Sequence, residues 1–274
     1  MSNFWKRTLS GIVYVALIVY AVFAPNWVTG LILSVLAALT VYEFHKNTNK
    51  LENVNVNPIN PAIASFALLQ IVMWSHRFSQ HIYINPLVFA IIYFAFYLYT
   101  FISEIFKNKT NPINNIAYTF LGQIYIALPF LSLLFIKNID EIFLLALFVL
   151  IWANDTFAYL TGSAFGKHRM YERISPKKSW EGFIGGLIGA LAVAFLFSRF
   201  TETKLNTAEW FIFAAIVVIF GTLGDLLESL MKRTIGVKDS GNIMPGHGGL
   251  LDRFDSLLLA APVILVYLQK YVFF

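Results

Sequence analysis

The chain has 274 residues, of which 58% are hydrophobic, 17% aromatic and only 13% charged. Soluble domains carry about 25% charged residues, so this composition excludes a disordered chain and a polar nucleic-acid-binding domain. With a mean hydropathy of +0.68, the solvent for most of the molecule is lipid. The net charge of +5, from 20 Lys and Arg against 15 Asp and Glu, reads as cytoplasmic loops facing anionic headgroups, with no nucleic-acid partner implied. The absence of cysteine excludes a disulfide framework, a thiolate nucleophile and Cys-ligated zinc.

Runs of about 20 mostly apolar residues mark bilayer-crossing helices. In chain order they lie near 8–24, 27–44, 60–75, 84–103, 116–136, 141–162, 182–199, 208–227 and 256–273. The expected fold is therefore all-α, a polytopic integral membrane helical bundle of about nine transmembrane helices, with residues 1–274 forming one domain and 141–274 its catalytic half. Strand alternation is not sustained, and the runs are too long for the strands of a membrane barrel. The first run follows Lys6 and Arg7 and reads as an uncleaved helix rather than a signal peptide. It meets the second at the Pro25-Asn26 turn. Glu43 and His45 read as a helix end, residues 53–60 as a polar loop, and Phe94, Phe96, Tyr97 and Tyr99 as lipid-facing or core aromatics; none of these is assigned a role.

Counting Lys and Arg in alternate loops gives 15 on the side of the N-terminus and 5 on the other. By the positive-inside rule the first side is cytoplasmic. Two polar segments, 163–181 and 228–255, fall on it, within reach of cytosolic nucleotides and metal ions.

The sixth span contains Trp152-Ala153-Asn154-Asp155 and leads to Gly166-Lys167-His168; Ser175-Pro176-Lys177-Lys178-Ser179-Trp180-Glu181-Gly182 opens the seventh. An acid inside a span, such as Asp155, is a functional candidate by default, although it can also serve as a buried partner for a neighbouring helix. Pro176 and Glu181 are ordinary helix-start signals, and two lysines at the positive end of a helix welcome phosphate. Gly182, Gly185, Gly186 and Gly189 read as close helix contact rather than ligand contact.

The densest polar stretch starts in the eighth span at Asp225 and runs through Ser229, Lys232, Arg233, Lys238, Pro245-Gly246-His247-Gly248-Gly249, Asp252, Arg253 and Asp255. Residues three apart share a helix face, so Asp252 and Asp255 can point into one site. A carboxylate at mid-bilayer costs about 2.5–3.5 kcal/mol. Three such acids must line a wet cavity, pair with Lys or Arg, or hold a cation, and oxygen ligands without Cys suit Mg²⁺. Plainer roles stay open: Asp252 as a cap, Asp255 facing a helix dipole, Ser229 as a helix-end hydrogen bonder, Asp225 paired with Lys232 or Arg233, and the glycines around His247 as a tight loop. Cation, carboxylate and glycine together suggest phosphoryl or nucleotidyl transfer.

From Ser229 to Asp255 the chain reads Ser-x-x-Lys-Arg-x4-Lys-Asp-x5-Pro-Gly-His-Gly-Gly-x-x-Asp-Arg-x-Asp. This resembles the signature of the bacterial phosphatidate cytidylyltransferases, or CDP-diacylglycerol synthases. The segments Ser175–Gly182 and Asp155–Lys167 are similar to theirs too; Ser179 often stands as Thr there, which keeps the hydroxyl. The resemblance implies transfer of CMP from CTP to phosphatidate, giving CDP-diacylglycerol and pyrophosphate. It also implies dependence on Mg²⁺ with help from K⁺, a homodimer, and a site facing the cytoplasm from the cell membrane. Carried over by position, Asp225, Asp252 and Asp255 hold the cations. Lys178 or its neighbour Lys177, with Ser229, Lys232, Arg233 and Lys238, meets the phosphates and nucleotide. His247 completes the expected catalytic set, with Asp155, Gly248, Gly249 and Arg253 against substrate. A nucleotide-dependent kinase or transferase acting on an isoprenoid lipid is the nearest alternative. An ion-coupled transporter would show related halves or paired broken helices, and neither is visible.

Overall fold

The computed structural model describes residues 3–74, 86–107, 111–241, 243–244 and 248–269. Its helices are α1 (Asn3–Phe23), α2 (Asn26–Thr48), α3 (Ile59–Met73), α4 (Pro86–Phe106), α5 (Pro112–Gly122), α6 (Leu128–Ile139), α7 (Glu141–Phe165), α8 (Trp180–Phe200), α9 (Thr207–Ile235) and α10 (Leu251–Leu268). A π-helical turn, Gln123–Ala127, joins α5 to α6 without a break. Within the described residues each expected span falls on one continuous helix, and the fold is all-α and polytopic; residues 75, 84–85 and 270–273 of those spans lie outside the described residues. Among the described residues five helical stretches are long and apolar enough to cross a membrane: Asn26–Thr48, Pro112–Ile139 (α5, the π turn and α6 together), Glu141–Phe165, Trp180–Phe200 and Thr207–Ile235. Shorter apolar runs occur in α1, α3 and α4. Large apolar side chains such as Ile12, Ile91, Ile105, Ile188 and Val266 stay exposed on several helices, a surface that suits lipid and not water.

Two compact units interleave along the sequence. The first comprises residues 1–134 and 237–253. Within it α2 packs against α1, α3 and α5, and α4 against α3 and α5. Leu33, Ala37, Val41 and Phe44 from one side of α2 are fully or almost fully buried. The helix runs past the expected end to Thr48, so His45 is interior, its Nδ1 lying 2.8 Å from the Val41 carbonyl. The π turn carries a buried Gln123, which donates to the Pro61 carbonyl at 2.8 Å and accepts from the Tyr93 hydroxyl at 2.9 Å.

The second unit comprises residues 135–236 and 254–274. Here α8 packs against both α7 and α9. The contact with α7 rests on the glycine stripe. A side chain at Gly185, Gly186 or Gly189 would run into Thr161, Asn154 or Phe157, and at Gly182 a Cβ would meet the Ala158 carbonyl at 2.9 Å. Small residues at such spacing let two helices approach closely where lipid offers no hydrophobic drive. Between α7 and α8 the chain forms a small antiparallel hairpin, β1 (Arg169–Tyr171) and β2 (Ser175–Ser179), with Arg169 opposite Ser179 and Tyr171 opposite Ser175. Its residues show no apolar alternation, so hydropathy did not reveal it. At 1.5 Å per residue, the 29 residues of α9 span about 44 Å, more than the roughly 30 Å hydrocarbon core. The helix continues two turns beyond the expected limit near residue 227 and ends at Gly236, whose φ of 77° is left-handed.

Candidate active site

In the second unit, a cavity of about 280 Å³ is lined by Asn154 and Asp155 of α7, Lys177, Lys178 and Ser179 of β2, and Thr222 and Asp225 of α9, with Ser256 of α10. Each element has a local reason to hold its side chain there. Ser179 caps α8, its hydroxyl accepting from Gly182 N–H at 3.1 Å. Helix α8 therefore begins at Trp180, and Lys177 and Lys178 belong to a strand, not to the helix end as expected. Lys177 is exposed and Lys178 half-buried, and both reach the cavity wall. The hairpin is fastened to α8 by Glu181, which accepts from His168 N–H at 3.2 Å and lies 2.6 Å from His168 Nδ1.

Lys178 Nζ stands 2.6 Å from Asp225 Oδ2. Asp225 therefore finds its cation in β2, and the plainer expectation of a pair with Lys232 or Arg233 is corrected. The reason is the extension of α9: Lys232 sits one turn beyond Glu228 and pairs with that fully buried carboxylate. Arg233, exposed, directs its Nε to the Ile174 carbonyl at 3.5 Å. Ser229 donates to Asp225 Oδ1 at 3.3 Å, so it holds the acid from the next helical turn.

Asp255 reaches the same neighbourhood from α10. A side chain at Gly224 would collide with the Asp255 backbone carbonyl, and one at Gly221 would meet Ser256 at 3.6 Å. Gly224 thus lets α9 and α10 close on each other, while Gly221 leaves ordinary contact distance. The Asp255 and Asp225 carboxylates consequently repel one another, Asp155 adds to that repulsion, and Lys178 relieves it. Asp155 is exposed at the cavity wall and accepts from Asn154 at 3.4 Å. Asp155 and Asp225 thus share the cavity with Lys177 and Lys178, so carboxylates and ammonium groups line one site. Among the described residues, no group of three or more His, Cys, Asp or Glu is close enough to hold a metal ion by itself.

The other expected site residues belong to the first unit. Lys238 lines a second cavity of about 660 Å³ together with Lys46 and Asn47 of α2 and Lys50 of the turn that follows it. Asp252 accepts from the backbone N–H of Ser240 at 3.0 Å and of Gly249 at 2.9 Å. It thus organises the loop preceding α10, as a helix-start acid does, and the Gly249 N–H is committed to it. Gly248 has φ 84°, which a side chain would strain. Arg253 is exposed, with its backbone carbonyl 3.5 Å from the Tyr14 hydroxyl. Pro245, Gly246 and His247 lie outside the described residues, so the expected role of His247 is not placed. Asn154, Thr222 and Ser256 line the first cavity although no role was assigned to them from sequence. Their signal is only one of position: each lies within a turn of an expected acid.

Residues 5–271 match the model of the cytidylyltransferase family. A phosphatidate cytidylyltransferase of Staphylococcus haemolyticus is 34% identical over 264 residues, covering 96% of this chain and 98% of the relative. One of Bacillus subtilis is 31% identical over 267 residues, covering 96% and 97%. One of Haemophilus influenzae reaches 50% identity over a shorter stretch of 123 residues, 43% of each chain.

Proposed function

The chain belongs to the cytidylyltransferase family, and on that footing we propose that it is a phosphatidate cytidylyltransferase of the multi-pass membrane type, which transfers CMP from CTP to phosphatidate and releases pyrophosphate. The observation that carries the reading is the Lys178–Asp225 pair, set with Asp155 in one cavity and beside Asp255. Nucleotidyl transfer onto an anionic lipid needs this mixture of cation and carboxylate.

The phosphatidate phosphomonoester has a second pKa of about 6, by analogy with phosphorylated side chains. At neutral pH it is already an anionic nucleophile and needs no strong base. One of its oxygens attacks the α-phosphorus of CTP; an O–P bond forms there, and the bond from that phosphorus to the oxygen bridging to the β-phosphate breaks. Pyrophosphate departs with the electron pair. The obstacle is charge repulsion between dianion and triphosphate. Lys178, with its neighbour Lys177, lowers it by presenting ammonium groups to the phosphates, and the salt link to Asp225 fixes where Lys178 stands.

Asp225 and Asp255 supply hard oxygen donors suited to Mg²⁺, which characteristically takes one or two carboxylates and completes its shell with water and substrate phosphates. The absence of a three-acid cage among the described residues is compatible with that mode. When bound there, Mg²⁺, with K⁺ as a second cation, would neutralise phosphate charge. Asp252 belongs to the same reading as a ligand carried over from the family signature. The reading also places the site on the cytoplasmic face of the cell membrane, in keeping with the Lys and Arg bias, and includes a homodimer.

The test is incubation of purified protein with labelled CTP, Mg²⁺ and phosphatidate. Formation of a CDP-lipid with one pyrophosphate is expected. Pyrophosphate without CDP-lipid would overturn the reading, and ATP-dependent lipid phosphorylation would favour the kinase alternative.

A further inference from the structure

Glu43 reads from sequence only as part of a helix end, yet it is 3% exposed, inside the first unit. Burying a carboxylate costs several kcal/mol unless hydrogen bonds repay it, and an aliphatic side chain would fill the same space without that cost. The repayment comes from the loop that precedes α10. Glu43 Oε2 accepts from the Ser240 hydroxyl at 3.2 Å and from Leu251 N–H at 2.9 Å. The Ser240 hydroxyl in turn accepts from Asp252 N–H at 3.3 Å, and Ser240 N–H donates to Asp252 Oδ2 at 3.0 Å. One α2 carboxylate is therefore linked through a single buried serine to both backbone and side chain of Asp252. The loop is shaped to receive it: a side chain at Gly241 or Gly249 would overlap the Glu43 carboxylate. Asn47, one turn further along α2, donates to the Ser240 carbonyl and closes the contact.

We infer that Glu43 is a positioning residue for the nucleotidyl transfer: it acts through Ser240 to hold the Asp252 carboxylate and the Gly249–Leu251 turn in their working arrangement. This rests on the reading of the chain as a cytidylyltransferase that uses Asp252. The acceptor oxygen Oε2 carries the role, so an amide, which keeps one carbonyl oxygen, serves in its place. Residues that orient a ligand without touching substrate are typically worth roughly 10- to 100-fold in activity or metal affinity.

The experiment compares the full-length wild type with Glu43→Gln, Glu43→Ala, Ser240→Ala and the double variant Glu43→Ala/Ser240→Ala. Two readouts are taken, CDP-lipid formation and hydrogen exchange of the backbone amides. Expected are a roughly 10- to 100-fold fall in kcat for Glu43→Ala with the KM for phosphatidate unchanged, near wild-type turnover for Glu43→Gln, and a double variant no slower than the slower single one. Exchange at Ser240, Gly249 and Leu251 should rise in Glu43→Ala while α7, α8 and α9 keep their protection. Multiplying losses in the double variant, no rescue by Gln, or exchange raised throughout the molecule would each overturn the inference, as would unchanged exchange in the loop. A wild type that forms no CDP-lipid would defeat the functional reading, while the exchange data would still decide whether Glu43 holds the loop.

Discussion

Lys178 of β2 and Asp225 of α9 form an ion pair of 2.6 Å at the wall of a cavity that also contains Asp155. Their side chains are 25% and 32% exposed, so solvent reaches both. A pair this accessible contributes about 0–1 kcal/mol to stability. Its value is in placing an ammonium where substrate phosphates approach.

Lys178→Met should therefore separate activity from stability. Turnover is expected to fall roughly 10²–10³-fold, the usual loss when a charge-stabilising donor is removed from a reaction site. The thermal midpoint in detergent should move little. Measuring CDP-lipid formation beside a melting curve checks this, and a large drop in midpoint with normal turnover would contradict it.

Replacing an acid by its amide tests ligand against base. Asp225→Asn, Asp252→Asn and Asp255→Asn are each expected to abolish turnover at every pH between 6 and about 9, because phosphatidate supplies its own anionic nucleophile. A residual rate in Asp252→Asn that recovers at high pH would instead identify that acid as a proton acceptor.

Chelation gives a further check. EDTA should stop CDP-lipid formation, and excess Mg²⁺ should restore it, since one or two carboxylates bind the ion only with the help of phosphate and water. Isothermal titration of the wild type with Mg²⁺ should accordingly show tighter binding with CTP present than without it. Equal affinity in both cases would argue against a shared shell.

The crossing of α9 with α10 predicts opposite outcomes for two nearby glycines. A Cβ at Gly224 would strike the Asp255 carbonyl, whereas one at Gly221 meets Ser256 at 3.6 Å, ordinary contact. Gly224→Ala should destabilise by about 1–3 kcal/mol as the helices separate and should lose turnover with it. Gly221→Ala should be tolerated, with up to about 1 kcal/mol gained from helix propensity. Melting curves of the two variants decide the point.

At the far end of α9, Asn206 and Glu209 form a reciprocal cap, with Glu209 N–H donating to Asn206 at 3.0 Å and Asn206 N–H to Glu209 at 2.9 Å. Asn206→Ala should cost about 1 kcal/mol, a fall of roughly 2–4 °C for a chain of this size. Turnover at 25 °C should be unchanged, which makes it a control for the variants above.

What was legible in the sequence is what depends on neighbours along the chain. Apolar run length located the helices, and the glycine stripe of α8 announced close contact with another helix, because both follow from composition over a few turns. The motif from Ser229 to Asp255 identified the family, and the acid inside α7 stood out as a functional candidate. Partner choice was decided only in three dimensions. Asp225 lies close in sequence to Lys232 and Arg233, yet continuation of α9 to Ile235 gives Lys232 to the buried Glu228 and leaves Asp225 to a lysine from a hairpin that has no apolar alternation to reveal it. Glu43 is the sharper case. A lone acid near a helix end looks solvated in any window of sequence, and only the return of the loop at Ser240, nearly two hundred residues later, buries it. Hydropathy is a property of segments, whereas a salt link or a buried hydrogen bond depends on which distant segments meet; packing alone fixes that.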